Sequence, residues 1–232
     1  MTDNTTSLRR RNLLLGALRT IPAAALAGGG GAMAVAAPPP AYQPAYFTAD
    51  EWAFIQAATG RLIPADENGP SACALGVPEF IDRQMDSEYG HGGFWYLQGP
   101  YTPDAPATLG YQLRFNPRDL YRVAIKDIDG WTVQNHGAAF AALTPAQQDE
   151  VLAGLEKGAI ELPHVKAKIF FAQLLANTKE GYFADPMYGG NRGMQSWKMI
   201  GFPGARADFA DWSKHPDEPY PLGPVSIMGE KA

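Results

Sequence analysis

The chain has 232 residues, 46% hydrophobic and 19% charged, which is enough apolar material for one globular domain with its own core. A formal net charge of -5 argues against a nucleic-acid binder, which needs a basic face, and a single cysteine, Cys73, excludes an internal disulfide framework and any four-thiolate metal or iron–sulfur site. No C-x-x-C-H is present, so no c-type haem is attached to this chain. With 25 Gly and 20 Pro, long shaped loops are expected between the elements.

Residues 1–36 read as an address. Arg9, Arg10 and Arg11 precede Asn12, Leu13 and Leu14, and Arg10-Arg11-x-Leu13-Leu14 fits the twin-arginine pattern of an export signal. The following Ala/Gly-rich stretch is interrupted by Arg19, Pro22 and the Gly28–Gly31 run, too weakly apolar for a membrane span. Ala32-Met33-Ala34 and Ala34-Val35-Ala36 are both small-x-small cleavage patterns. Cutting after Ala36 is favoured, because cutting one residue later would leave Pro38 directly beyond the bond. The twin-arginine translocase carries folded proteins, loaded with a cofactor or bound to a partner. Since the chain shows no cofactor motif, a partner is the more telling expectation.

Residues 37–47 form an extended, proline-rich lead-in. Thr48-Ala49-Asp50-Glu51 is a capping box that opens a helix through Leu62, with Trp52, Ile55, Ala58 or Thr59, and Leu62 on the inward stripe, and Pro64 ends it. Pro78 starts a second helix with Phe80, Ile81 and Met85 inward, and an aromatic, Gly/Pro-rich loop covers 90–115. Asn116-Pro117 caps a third helix carrying Leu120, Val123, Ala124, Ile128 and Trp131 in register. Thr144 and Gln147 form a second capping box for a helix that ends near Gly158, after a short apolar segment at 138–143. Pro163 is expected to open a last helix, apolar on most faces and therefore central. The expected class is all-α: an irregular helical domain over 48–178, then a Gly/aromatic loop and Pro-rich extended segment over 179–232, neither with helical periodicity.

Sites of chemistry are sparse. His91, His136, His164 and His215 lie far apart without metal-ligand spacing, and there is no Gly-x-Ser-x-Gly elbow. Gly189-Gly190-Asn191-Arg192-Gly193 is not a dinucleotide fingerprint and follows no apolar strand. Asp127 with Asp129, and Glu156 with Glu161, read as solvated helix faces. No catalytic, cofactor or metal residue is therefore expected in this chain. Phe94, Trp95, Tyr96, Tyr101 and Tyr111 leave three roles open: core packing, a protein interface, or a sugar-stacking site.

The segment GYFADPMYGGNRGMQSWKMIGFPGA at 181–205 resembles the small (third, or gamma) subunit of membrane-bound gluconate 2-dehydrogenase complexes. LIPADENGPSACALGVPEFIDRQM and GYQLRFNPRDLYRVAIKDID resemble the same family, as does the leader. The resemblance implies a periplasmic complex associated with the cytoplasmic membrane. In it an FAD-dependent large subunit of the glucose–methanol–choline type oxidises a sugar acid or polyol, and a multihaem cytochrome c subunit passes electrons to ubiquinone. The small subunit is then an accessory that carries the export signal for itself and the flavoprotein. Within the motif, Asp185-Pro186 sets a turn, and Gly189, Gly190 and Asn191 permit positive φ and close backbone approach. Tyr182, Phe183, Tyr188, Trp197 and Phe202 are expected to form a docking surface, with closure of the subunit's own core as the competing role, and Arg192 and Lys198 are expected either to face partner carboxylates or to lie on a solvated rim. A competing reading is an autonomous periplasmic sugar-binding module using Phe94, Trp95, Tyr96 and Tyr101.

Overall fold

The computed structural model describes residues 42–232, apart from Asp211, Pro216 and Pro219. The leader, with Arg10, Arg11, Leu13, Leu14 and the cleavage positions Ala34 and Ala36, lies outside the described residues. Six α-helices follow in order: α1 (Ala49–Leu62), α2 (Val77–Asp86), α3 (Pro117–His136), α4 (Pro145–Lys157), α5 (Ala167–Phe183) and α6 (Gln195–Ile200). Among the described residues there is no strand, only isolated bridges pairing Gly204 with Val225 and Val225 with Lys231. The expected all-α class holds.

Local chemistry sets most helix ends. Thr48 and Glu51 close the capping box of α1, and Thr144 and Gln147 that of α4, each satisfying two otherwise unpaired backbone donors. The Asn116 side chain accepts from the N–H of Asp119 at 2.8 Å at the start of α3. Gly137 and Gly158 end α3 and α4 in the left-handed region, at φ 80° and 68°.

The inward faces are rotated from two expected stripes. On α1 the buried residues are Phe54, Ile55, Ala58 and Thr59, while Trp52 and Leu62 are half-buried. On α3, Leu120, Ala124 and Ile128 are buried as expected, and Tyr121 and Ile125 take the interior positions in place of Val123 and Trp131. The cause is an aromatic centre. Phe54 packs at 4.7 Å from Phe140 and 6.3 Å from Phe170, and Tyr121 meets Phe170 edge-on at 5.4 Å. Burying rings of this size stabilises by roughly 1.5–3 kcal/mol each, which outweighs a half-buried Trp on a helix flank.

The central helix, α5, packs against α1, α2, α3, α4 and α6. It differs from expectation at both ends. It starts at Ala167 rather than at Pro163, because Asp127 of α3 accepts the backbone N–H of His164 at 3.0 Å and its ring Nδ1–H at 2.9 Å, holding 163–166 as a loop. It also runs past Thr178 to Phe183, so the stretch expected to lack helix contributes the end of α5 and all of α6. The polar positions on α5 are internally satisfied: buried Asn177 accepts from Tyr121 Oη at 3.0 Å and donates to Tyr89 Oη at 3.1 Å, and Thr178 donates to the Leu174 carbonyl at 2.7 Å.

Candidate functional site

After Phe183 the chain turns sharply and folds back against the ends of α2 and α5. Asp185 starts the turn. Its Oδ1 accepts from Met187 N at 3.1 Å, and its Oδ2 accepts from Ile227 N at 2.6 Å, tying the C-terminal tail to the loop. Gly189 has φ 101°, open mainly to glycine. Gly190 serves close approach instead, since a Cβ there would lie 2.1 Å from the carbonyl oxygen of Gly181. Both expected backbone roles of this glycine pair are met.

Asn191 is the pivot. It is fully buried, with φ 44°, and spends both ends of its amide: Nδ2 donates to the Ala184 carbonyl at 3.0 Å, and Oδ1 accepts Ser196 N at 3.0 Å and Ser196 Oγ at 2.7 Å. That contact starts α6, which no local pattern announced. Trp197 of α6 is then buried, its indole N–H donating to the Phe183 carbonyl at 2.8 Å, and the Tyr182 hydroxyl donates to the Pro70 carbonyl at 2.9 Å.

The expected docking residues therefore divide. Tyr182, Asp185, Gly189, Gly190, Asn191 and Trp197 are buried and build the loop. Phe183, Tyr188, Lys198 and Phe202 face outward, with Met187, Met199 and Ile200 beside them. Arg192 is not left for a partner: it pairs with Glu79 of α2, whose other carboxylate oxygen pairs with Arg83. Lys198 has no carboxylate within ion-pair distance among the described residues. The tail adds Leu222, Ile227 and Met228 to the exposed apolar set. Most large apolar side chains that remain exposed among the described residues belong to 183–228.

Glu79, Arg83 and the tail residues were missing from the sequence reading of this site. Glu79 and Arg83 have a sequence signal, an i, i+4 pair inside the LIPADENG…FIDRQM segment. A family model for gluconate 2-dehydrogenase subunit 3 matches residues 49–204, from the first residue of α1 to the glycine at which the tail rejoins the loop. The chain belongs to the gluconate 2-dehydrogenase subunit 3 family. No significant match is found among curated proteins or solved structures. In this family member the matched region contains both the buried signature and the α2 segment on which it rests.

The remaining candidate groups disperse. Trp95 is wedged between Tyr89 (5.9 Å) and Tyr111 (4.6 Å), whereas Phe94 and Tyr96 on either side point outward, 78% and 81% exposed. These aromatics do not form one stacking platform. Asp127 and Asp129, read as a solvated face, are buried and half-buried, and each accepts hydrogen bonds from another segment. Glu156 and Glu161 are exposed as expected. Among the described residues no three His, Cys, Asp or Glu side chains converge on a metal position. Cys73 donates to the Gln56 carbonyl at 3.0 Å.

Proposed function

We propose that this chain is the non-catalytic small subunit of a periplasmic, membrane-associated gluconate 2-dehydrogenase-type complex. It carries the twin-arginine signal, brings a signal-less flavoprotein across the membrane with it, and stabilises that subunit afterwards. FAD in the large subunit and haem c in a cytochrome subunit supply the redox chemistry, from a sugar acid or polyol to ubiquinone. The small subunit contributes a shaped surface. Family membership and the Arg10-Arg11 motif support this reading.

The observation that carries it is the division of the signature. A buried framework of Asn191, Trp197 and Tyr182 holds Phe183, Tyr188, Ile200 and Phe202 in the open, 40–56% exposed. Apolar side chains held in water by a rigid frame mark an interaction surface, since isolated globular surfaces rarely keep such groups together. The net negative charge of the chain and the uncompensated Lys198 at the edge of this face suit a contact that is apolar at its centre and polar at its rim.

Co-expression with the flavoprotein tests the reading. Ile200→Asp combined with Tyr188→Asp leaves the helical content and the melting temperature of the small subunit intact, and the large subunit no longer co-purifies or reaches the periplasm. Arg10→Lys with Arg11→Lys retains both polypeptides in the cytoplasm. Unchanged co-purification with the first variant removes the docking face; export of the flavoprotein with the second removes the carrier role.

A further inference from the structure

A pocket of about 370 Å3 opens on the side of the molecule formed by the 101–115 loop and the 162–166 segment. Its wall is apolar, made by Leu113, Phe115, Leu162 and Val165. Its polar side chains besides the Tyr101 hydroxyl are Arg114, His164 and Lys166, and no carboxylate lines it. Two of these groups are matched by carboxylates that lie just outside the lining, Asp127 for His164 and Asp104 for Lys166, which leaves Arg114 as the cation of the pocket without a carboxylate partner among the described residues.

The three cation-forming groups differ in how they are held. His164 is the most constrained: buried Asp127 accepts both its backbone N–H and its Nδ1–H, so the ring orientation is fixed and Nε2, with the ring proton spent on Asp127, presents a lone pair that accepts rather than donates. Lys166 is engaged at the rim by Asp104, an exposed residue of the opposite loop. Arg114 lies over the Phe115 ring at 4.8 Å and has no carboxylate within ion-pair distance among the described residues. Its guanidinium is the free fork of the site. The Tyr101 hydroxyl is committed to the Leu97 carbonyl at 2.7 Å and supplies an aromatic edge rather than a donor.

We propose that this pocket binds a small organic monocarboxylate with an apolar body, such as an aryl or branched-alkyl acid. The carboxylate meets the Arg114 guanidinium, and the body lies on the Leu113, Leu162 and Val165 wall. A ligand dense in hydroxyls is disfavoured, because that wall offers those hydroxyls no partners. The site is separate in sequence from the signature face, and the proposal does not depend on the role of the chain in a complex.

Titration of the full-length chain with sodium benzoate, followed by calorimetry and by amide resonances, tests it. Saturable binding tighter than about 10 mM is expected, with shifts centred on Leu113, His164 and Val165. Benzamide and gluconate bind at least about fivefold more weakly, and Arg114→Gln weakens benzoate about fivefold at an unchanged melting temperature. Because Arg114 is exposed, this variant folds; Lys166→Gln is a second variant and gives a smaller loss in the same direction. Absence of saturable binding overturns the proposal, as does equal affinity for benzoate and benzamide or for benzoate and gluconate. It is also overturned if benzoate is ignored while the same amides become protected in the assembled complex, which makes the pocket a protein contact.

Discussion

The hydroxyl of Tyr42 donates to Oδ2 of Asp82 at 2.7 Å, across 40 positions of sequence. The same carboxylate accepts the backbone N–H groups of Ala45 at 2.7 Å, Tyr46 at 3.1 Å and Phe47 at 2.9 Å. Asp82 sits on α2, fully buried, so the lead-in is part of the domain from Tyr42 onward rather than a tether. Burial and the neighbouring carboxylate push the Tyr42 hydroxyl well above its ordinary value, which keeps it a donor.

Removing that acceptor leaves several backbone donors without a partner. Asp82→Ala is expected to cost about 3 kcal/mol, since each unsatisfied buried N–H costs about 1–3 kcal/mol and some regain water. Tyr42→Phe, which removes one donor and leaves the carboxylate satisfied, costs about 1 kcal/mol. Urea denaturation measures both. Limited proteolysis gives an independent reading: cleavage within 42–47 accelerates in Asp82→Ala and hardly changes in Tyr42→Phe.

Asp129 gives a pH-dependent prediction of unusual sign for a carboxylate. Its pKa is raised, first by burial and further by Asp50, against the opposing N–H of Phe140, which it accepts at 2.9 Å. A folded-state value above the unfolded one means that the folded protein binds the extra proton. The contribution to stability is therefore full below the unfolded value of about 3.9 and falls as pH rises toward the folded value. Asp129→Asn keeps an acceptor for Phe140 without the charge. Its melting temperature is expected to equal or exceed that of the parent at pH 7 and to lose that advantage at pH 4. An equal deficit at both pH values would show that hydrogen-bond strength, not charge burial, governs the site.

Glu79 is bound on one side by Arg83 and on the other by Arg192, which fastens the signature loop to α2. The carboxylate side chain is 10% exposed and the two guanidinium groups are about half exposed, so solvent screens much of the attraction. Glu79→Gln is expected to cost about 1–2 kcal/mol, with the loss reduced in high salt as the two freed arginines are screened from each other. Denaturation at low and high ionic strength checks both the size and the salt dependence.

What could be read in advance was local. The caps at Thr48, Asn116 and Thr144 and the stops at Gly137 and Gly158 depend on neighbours within four residues, and they fall where those neighbours place them. The start of α5 could not be read that way. Pro163 is a good first-turn residue, but Asp127, 36 positions earlier, binds His164 and keeps the chain out of helix. α6 was invisible for the same reason, since its first turn is organised by the Asn191 side chain. Within the signature, Trp197 and Phe202 are both large apolar rings. Only the carbonyl of Phe183, reached through the fold, decides that Trp197 is buried and Phe202 is half exposed.

The frame and the face of the signature should respond differently to substitution. Asn191→Ala removes the acceptor for two Ser196 donors and the donor to Ala184 while keeping a side chain at φ 44°, so about 3 kcal/mol is expected to be lost, together with the near-ultraviolet dichroism of Trp197. Gly190→Ala is more severe: its Cβ, placed 2.1 Å from the Gly181 carbonyl oxygen, cannot be accommodated without displacing the end of α5. Tyr188→Ala, on the outward side, changes stability by less than about 0.5 kcal/mol, because the ring has no interior role. If Asn191→Ala kept the Trp197 signal, α6 would be held by its own packing rather than by the loop. If Tyr188→Ala were as destabilising as Asn191→Ala, the outward residues would belong to the fold, and the division between a buried frame and an exposed face would be lost.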